Sequence, residues 1–580
     1  MVELEEPISL HASAKAVVPA EDPAKDPESP TTASSQQQVD APQVSEDAPP
    51  TRSNLRLYTI LAALSVGFTL TLTLELFIAA LDQTIVATAV PTITAELHDA
   101  TGYTWIAGAY LLASAATGPI WVKSSDIWGR KPAILLSILI FAAASAITAS
   151  AQNIAALLAG RTIQGAAAGG VLQLVGITIS DICSIRHRAL YLSSLGLVWV
   201  LAGTTGPVIG GALTEHVSWR WCFWINLPVC GSAFLVIAFF LDVHNPRTKL
   251  RDGLSAIDWL GTASILAGTV LFLVGLDFGG ATYPWNSAPV ISFIIIGAAT
   301  IGFFLYNEKR LARFPLMYLD VFKGWPNNAI VITAFTHSIT SFGAEYYLPL
   351  YFQSVKQASP TQSGVMLLPF IITTAFVDIV SGILIHKIGR YRELIWAGAV
   401  FMTLGSGLCI SFWVDTELGK LIGFQIILGF GVSLLFQTPS LALQNSVSQA
   451  DTATATSTLS FIRALGTSIS TVIGGAVFQN SMNSQGPKLA ASGLNQTELD
   501  ALTGYEAAAN VHIVQQLNDA RQRLVVEEAF ASSIRNMFIV YTSIAAVGVV
   551  ASVFIKQRYM SKEHTETKTG IQNMTEQKKR

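Results

Sequence analysis

A chain of 580 residues that is 51% hydrophobic and only 13% charged lacks the composition of a soluble globular protein, in which roughly a quarter of residues carry charge. Its mean hydropathy of +0.48 points to lipid, and its net charge of −3 argues against a nucleic-acid partner. The four cysteines, Cys183, Cys222, Cys230 and Cys409, are too few and too dispersed for a disulfide framework or a metal cluster, so no metal and no cofactor is expected.

Residues 1–54 hold ten acidic against three basic residues among Pro, Ser and Gln, and read as a disordered acidic tail without a cleavable signal peptide. Runs of about twenty apolar residues, the length that crosses a bilayer, then recur. They fall at 61–90, 103–122, 132–150, 155–180, 189–213, 219–241, 258–278, 289–306, 328–352, 361–385, 393–413, 420–444, 455–480 and 535–556, fourteen in all. With the N-terminus inside, the short inner loops hold fifteen Lys and Arg (among them Lys123, Arg130, Lys131, Arg186 and Arg188), against Arg220, Lys356 and Lys420 outside. That bias puts both termini in the cytoplasm. Residues 481–534 become one long outer loop with a helix near 506–525, and Asn495-Gln496-Thr497 is a glycosylation acceptor on the correct side.

The chain repeats itself. Val208-Ile209-Gly210-Gly211-Ala212 recurs at Val472-Ile473-Gly474-Gly475-Ala476, and at the same offset Arg161 meets Gln425 and Gly165 meets Gly429. Six spans thus correspond to six spans: 57–241 as an N-terminal bundle and 328–556 as a C-terminal one, with an accessory pair at 258–306 between them and a tail at 557–580. Two similar halves around a cavity are how many secondary transporters are built. Gly206 and Gly210, four apart, make a stripe where another helix can press close, and Pro207 should bend that helix.

No phosphate-binding Gly-x-x-x-x-Gly-Lys loop, metal-binding His-Glu-x-x-His or nucleophile elbow occurs, so neither ATP hydrolysis nor an enzyme activity is expected. What remains are ionisable residues at lipid depth, each expensive there and so each a functional candidate. Glu75 and Asp82 lie two turns apart on one face of the first span, and Arg161 lies in the fourth. Moving Arg161 towards or away from the carboxylate would load and unload a proton; the alternative is a static ion pair that fixes helix register. Glu345 in the ninth span is a candidate for the cavity wall, whereas Asp378 and His337 carry no assignment beyond packing. The turn at Lys123–Lys131 places Asp126 and Arg130 as a charge clamp at the inner mouth, beside Gly129 and Lys131.

These motifs resemble the major facilitator superfamily, specifically its fourteen-span drug:proton antiporter group, over residues 55–556. Asp126, Gly129, Arg130 and Lys131 match the family's gating loop after span 2, while Val122, Ser124 and Ile127 depart from it. Arg161, Gln164 and Gly165 match the span-4 motif, which implies proton transfer. Gly206, Pro207, Gly210 and Gly211 match the antiporter element, and Leu81 to Pro91 is similar to the span-1 signature of the group.

The resemblance implies an all-α multi-pass membrane protein with fourteen transmembrane helices arranged six, two and six. It implies a monomeric efflux pump of the plasma membrane, similar to fungal toxin exporters, that exchanges a small organic compound for protons across the lipid bilayer. A vacuolar permease for basic amino acids and a non-transporting sensor with the same fold are the alternatives.

Overall fold

In lipid a backbone can satisfy its own polar groups only as a helix or a closed barrel, and the apolar runs are accordingly helical in the computed structural model. The structure describes residues 76–561, apart from 87–88, 91, 94–95, 98–101, 242, 244–245, 247, 280–282, 313, 318, 504–506 and 508–509. All of them belong to one of two units of the chain, Leu61–Arg580; the other, Met1–Ile60, lies outside the described residues, as do Glu75 and the tail beyond 561.

The helices, in order, are α1 (Leu76–Val86), α2 (Gly102–Trp128), α3 (Arg130–Ala149), α4 (Ile154–Ile182), α5 (Ile185–His216), α6 (Trp221–Trp224) and α7 (Asn226–Phe240). Next come α8 (Leu250–Ala256), α9 (Trp259–Phe278), α10 (Ala288–Arg310), α11 (Trp325–Ser354), α12 (Pro360–Ile388), α13 (Arg392–Cys409), α14 (Leu418–Leu434) and α15 (Thr438–Gln444). The last are α16 (Thr452–Ser484), α17 (Gly486–Ala491), α18 (Gln496–Thr503), α19 (His512–Gln516) and α20 (Ala520–Ser552). Among the described residues ten helices, with α6–α7 and α14–α15 each counted as one, are long and apolar enough to cross a membrane. The expected runs at 328–352 and 393–413 fall on α11 and α13, which are helical but more polar, and the run at 189–213 falls within the helix α5; of the run at 61–90 the described part is α1 and a few residues after it.

Two expectations about boundaries change. The turn at Lys123–Lys131 is almost entirely helix: α2 continues to Trp128 and α3 begins at Arg130, so Gly129, with φ +98° and ψ 158°, makes the whole reversal. The run at 535–556 belongs to a helix that starts fifteen residues earlier, at Ala520, so the outer loop is shorter than 481–534 and holds α17, α18 and α19. Arg521, Arg523, Glu527 and Glu528 end an apolar run but favour helix, and α20 is about 50 Å long, more than a bilayer needs.

Apart from α5, the helices up to α7 pack mainly on one another, α4 against α2 and α3, and those from α11 onward do the same. Two seams join the groups: α5 lies along α12, and α2 along α16. The hairpin α9–α10 sits against α2 and α16, beside the second seam. Asp258 closes its base, accepting from Gly261 N at 2.9 Å and Asn307 Nδ2 at 2.5 Å.

Candidate functional site

Asp82, Arg161 and Gln164 meet in the first group. Arg161 Nη1 donates to Asp82 Oδ2 at 2.6 Å, and both residues are almost fully buried. The other carboxylate oxygen accepts from Gln164 Nε2 and from Asn226 Nδ2, each at 2.8 Å. Both amides also reach Ser145 Oγ, at 2.8 and 3.3 Å. Arg161 in turn donates Nε–H to the Ile106 carbonyl at 3.0 Å and lies 4.3 Å from the Tyr110 ring centroid. Burying a charge costs several kcal/mol unless it is paired and its remaining lone pairs and protons are met, and here α1, α2, α3, α4 and α7 meet them together.

Asn226 and Ser145 were not among the residues singled out from sequence, which weighed only ionisable side chains. An amide at lipid depth in the sixth apolar run is itself a signal, because no water is available there to satisfy it.

The Gly206–Gly211 segment lies within α5, which is helical through position 207. A Cβ at Gly206 would overlap Thr84 of α1, and Thr84 Oγ1 donates across this contact to the Ala202 carbonyl at 2.9 Å. The Gly210 carbonyl faces Cys222 Sγ at 3.9 Å, and a Cβ at Gly211 would meet nothing within 4 Å. In the second copy of the repeat, Gly474 of α16 is pressed against Tyr347 and Tyr541. Each half therefore has a glycine at a tight helix crossing, but at different positions: Gly206, just before the repeated segment, in the first half and Gly474 within it in the second.

At the Gly129 end, Arg130 joins two carboxylates: Asp126, near the end of α2 on the other side of the reversal, at 2.6 Å, and Asp181 at the close of α4, also at 2.6 Å. It further donates to Ser125 Oγ. Lys131 is half-buried beside this cluster. Asp181 had not been anticipated, since no local spacing links it to Arg130.

The same end is clasped across the α5–α12 seam. Arg186 donates to the carbonyls of His386 and Lys387 at 2.7 and 2.6 Å, which are among the unpaired carbonyls that close α12. Arg188 reaches Gln444 and Gln449 at 3.2 and 2.7 Å, and the rings of His187 and His386 lie 4.8 Å apart. Higher on this seam Asp378 is buried against Gly196.

The far end is different. A cavity of about 460 Å³ opens between α2, α9, α11 and α16, lined by residues such as Trp105, Leu276, Trp285, Tyr346 and Asn480. Glu345 is exposed next to Tyr346 but is not among the residues that line it. His337 is buried and bonds the Val432 carbonyl at 2.9 Å. Asn495 is exposed and caps α18, its Oδ1 accepting from Glu498 N at 2.7 Å. Among the described residues no group of His, Cys, Asp and Glu could hold a metal ion.

Compared with known proteins, residues 72–471 match the family model described as Major Facilitator Superfamily. The chain is 41% identical over 530 residues to the MFS-type transporter ppz2 of Metarhizium majus, covering 90% of this chain and 88% of that protein. It is 40% identical over 501 residues to the efflux pump dotC of Dothistroma septosporum, 86% of each chain. To the acurin A biosynthesis cluster MFS-type transporter of Aspergillus aculeatus it is 35% identical over 534 residues, 91% and 94% of the two. Among solved structures it is similar to the human organic anion transporter MFSD10, with a TM-score of 0.55 at 16% identity over 83% of this chain and 99% of that one. The proton:xylose symporter XylE gives 0.54 at 14% identity, over 89% and 99%. At such identities these two speak for the fold alone.

Proposed function

The chain belongs to the major facilitator superfamily of membrane transporters, and on that premise we propose that it exports a small organic compound in exchange for protons. The exported class is a toxin or another secondary metabolite, or a drug that resembles one; several relatives named as efflux pumps, and one named for a biosynthesis cluster, support this reading. The observation that carries the coupling is the buried Asp82 carboxylate held by Arg161, Gln164 and Asn226.

Fourteen spans with both termini in the cytoplasm put the clasped Gly129 end inside and the cavity outside. The plasma membrane is the membrane where this orientation expels a compound from the cell. In this arrangement a proton arriving from outside neutralises Asp82 and frees Arg161. A carboxyl left alone among apolar side chains favours its neutral form, so opening the pair and taking up the proton are one event. The Gly129-end clasp then releases, the proton leaves to the cytoplasm, and the pair reforms as cargo loads. The Asp126–Arg130–Asp181 cluster and the Gly206–Gly211 element act as gate and hinge in that cycle.

One proton moving down about 100 mV and one pH unit supplies about 2.3 plus about 1.4 kcal/mol. That sustains accumulation of a neutral solute outside by several-hundred-fold, on the order of 10²–10³. The test is export from vesicles under an imposed pH gradient with a panel of candidate metabolites. Asp82→Asn should abolish proton-driven export while the protein still reaches the membrane. Unchanged export by that variant removes Asp82 from the coupling role, and full-speed export after an ionophore collapses both gradients ends the antiport reading.

A further inference from the structure

We propose that the far-end cavity between α2, α9, α11 and α16 is a binding site for uncharged, flat, amphipathic solutes, and that the accessory hairpin is built to form one of its walls. The proposal rests on the exporter reading and deepens it by naming a class of cargo.

The hairpin's place in the cavity is secured by aromatic contacts. Phe278, which closes α9, meets Trp105 of α2 edge-to-face, with ring centroids 5.8 Å apart and planes at 81°. It meets Phe293 of α10 in the same manner at 6.0 Å. Beyond α9, Trp285 packs over Gly279 so closely that a Cβ there would overlap its ring. On the opposite wall Phe342 and Tyr346 of α11 stack at 6.2 Å with planes 19° apart. Rings on facing walls offer large apolar area and prefer offset or edge contact with another flat ring.

The remaining wall carries most of the polar groups. Gln479, Asn480 and Asn483 lie close together on α16, with Ser468 farther along the same helix, and among the described residues no charged side chain lines the cavity. Gln479 Nε2 is engaged by Asn483 Oδ1 and the Thr503 carbonyl, at 3.2 and 2.8 Å, which fixes the amide row. A solute with a flat apolar body and one hydrogen-bonding end matches this lining. A charged one would leave water without a counter-ion and lose affinity. The volume of about 460 Å³ suits a drug-sized molecule. Because α2 and α16 belong to different helix groups, the cavity straddles a seam, and any motion of the groups past each other must reshape it.

The test uses the purified full-length chain and two dyes of nearly the same shape, uncharged Nile red and cationic Nile blue, followed by fluorescence. Nile red should bind saturably, and Nile blue about tenfold more weakly or worse. Trp285→Ala and Asn480→Leu should each weaken Nile red binding about fivefold, whereas Trp259→Ala, at the other end of α9, should leave it unchanged. Should Trp285→Ala fail to fold, Asn480→Leu alone carries the test, since it changes an exposed residue. The proposal is overturned by three outcomes: no saturable Nile red site, equal affinity for the two dyes, or binding that neither variant alters. Competition by phospholipid together with indifference to Asn480→Leu marks an acyl-chain site and also overturns it. Export of metabolites by a protein without this dye site would sink the pocket and leave the exporter reading; a dye site in a protein that exports nothing would do the reverse.

Discussion

Replacing Arg186 by alanine should loosen the clasp that closes the Gly129 end, and the chain carries its own reporter of that event. Arg186 donates two hydrogen bonds from a charged guanidinium to carbonyls at the end of α12. Desolvated bonds of that kind are worth about 1.5–3 kcal/mol each. One of the two is exposed, so solvent screening leaves about 1.5 kcal/mol for the pair, and the closed state should lose about tenfold in population relative to the open one. Cys183 lies between α4 and α5 beside the clasp, and Arg188 Nε donates to its carbonyl at 2.9 Å. Burial pushes its thiol up to about 11, so almost no thiolate is present near neutral pH while the clasp is shut. Opening returns the thiol towards its ordinary value of about 8.5 and exposes it, so maleimide labelling reports the open population. Cys222, Cys230 and Cys409 are buried and stay silent. Arg186→Ala should therefore speed labelling about tenfold in detergent-solubilised protein, and Cys183→Ser should abolish it. A rate that is unchanged or slower in Arg186→Ala refutes the clasp.

Other outcomes follow from single contacts. Gly129 has φ +98° and ψ 158°, a region that only glycine occupies readily, so Gly129→Ala should cost about 1–3 kcal/mol and lower the apparent melting temperature; an unchanged Tm would mean that the reversal relaxes freely. Asn495→Gln should raise gel mobility of the protein made in a glycosylating host; a shift produced instead by changing Asn573, whose Asn573-Met574-Thr575 triplet lies in the tail expected inside, would invert the proposed topology.

The bilayer imposes a length and a polarity on every crossing segment, so the apolar runs and their helical state could be read directly. Helix ends could not, because lipid does not police them. Arg521, Glu527 and their neighbours continue α20 although they end its apolar run, and Lys123 to Trp128 continue α2 through what reads as a turn. In the candidate site, Asp126 with Arg130 was legible from opposite charges four residues apart in one short turn. Arg161 with Asp82 was legible from the price of charge in lipid. Asp181, 51 residues from Arg130, and Asn226, 144 from Asp82, become neighbours only through packing.

Both buried ion-pair clusters lie within the first helix group, so rigid rocking of the two groups would break neither. Loss of the Asp82–Arg161 pair must act on the seam through something that touches both. Helix α1 does: Asp82 holds it to α4, and two residues on, Thr84 holds it to Ala202 and Gly206 of α5. The same α5 carries Arg186 at the clasp, twenty residues and about 30 Å away. A methyl group at position 206 would force α1 off α5 and cut this chain of contacts. In an otherwise native protein, Asp82→Asn should change the Cys183 labelling rate several-fold, on the order of 1 kcal/mol, whereas in a Gly206→Ala background the same change should move it by about twofold at most. Effects that simply add across the double-mutant cycle would mean that the Asp82 pair and the clasp communicate by another route, and that Gly206 is a packing glycine and nothing more.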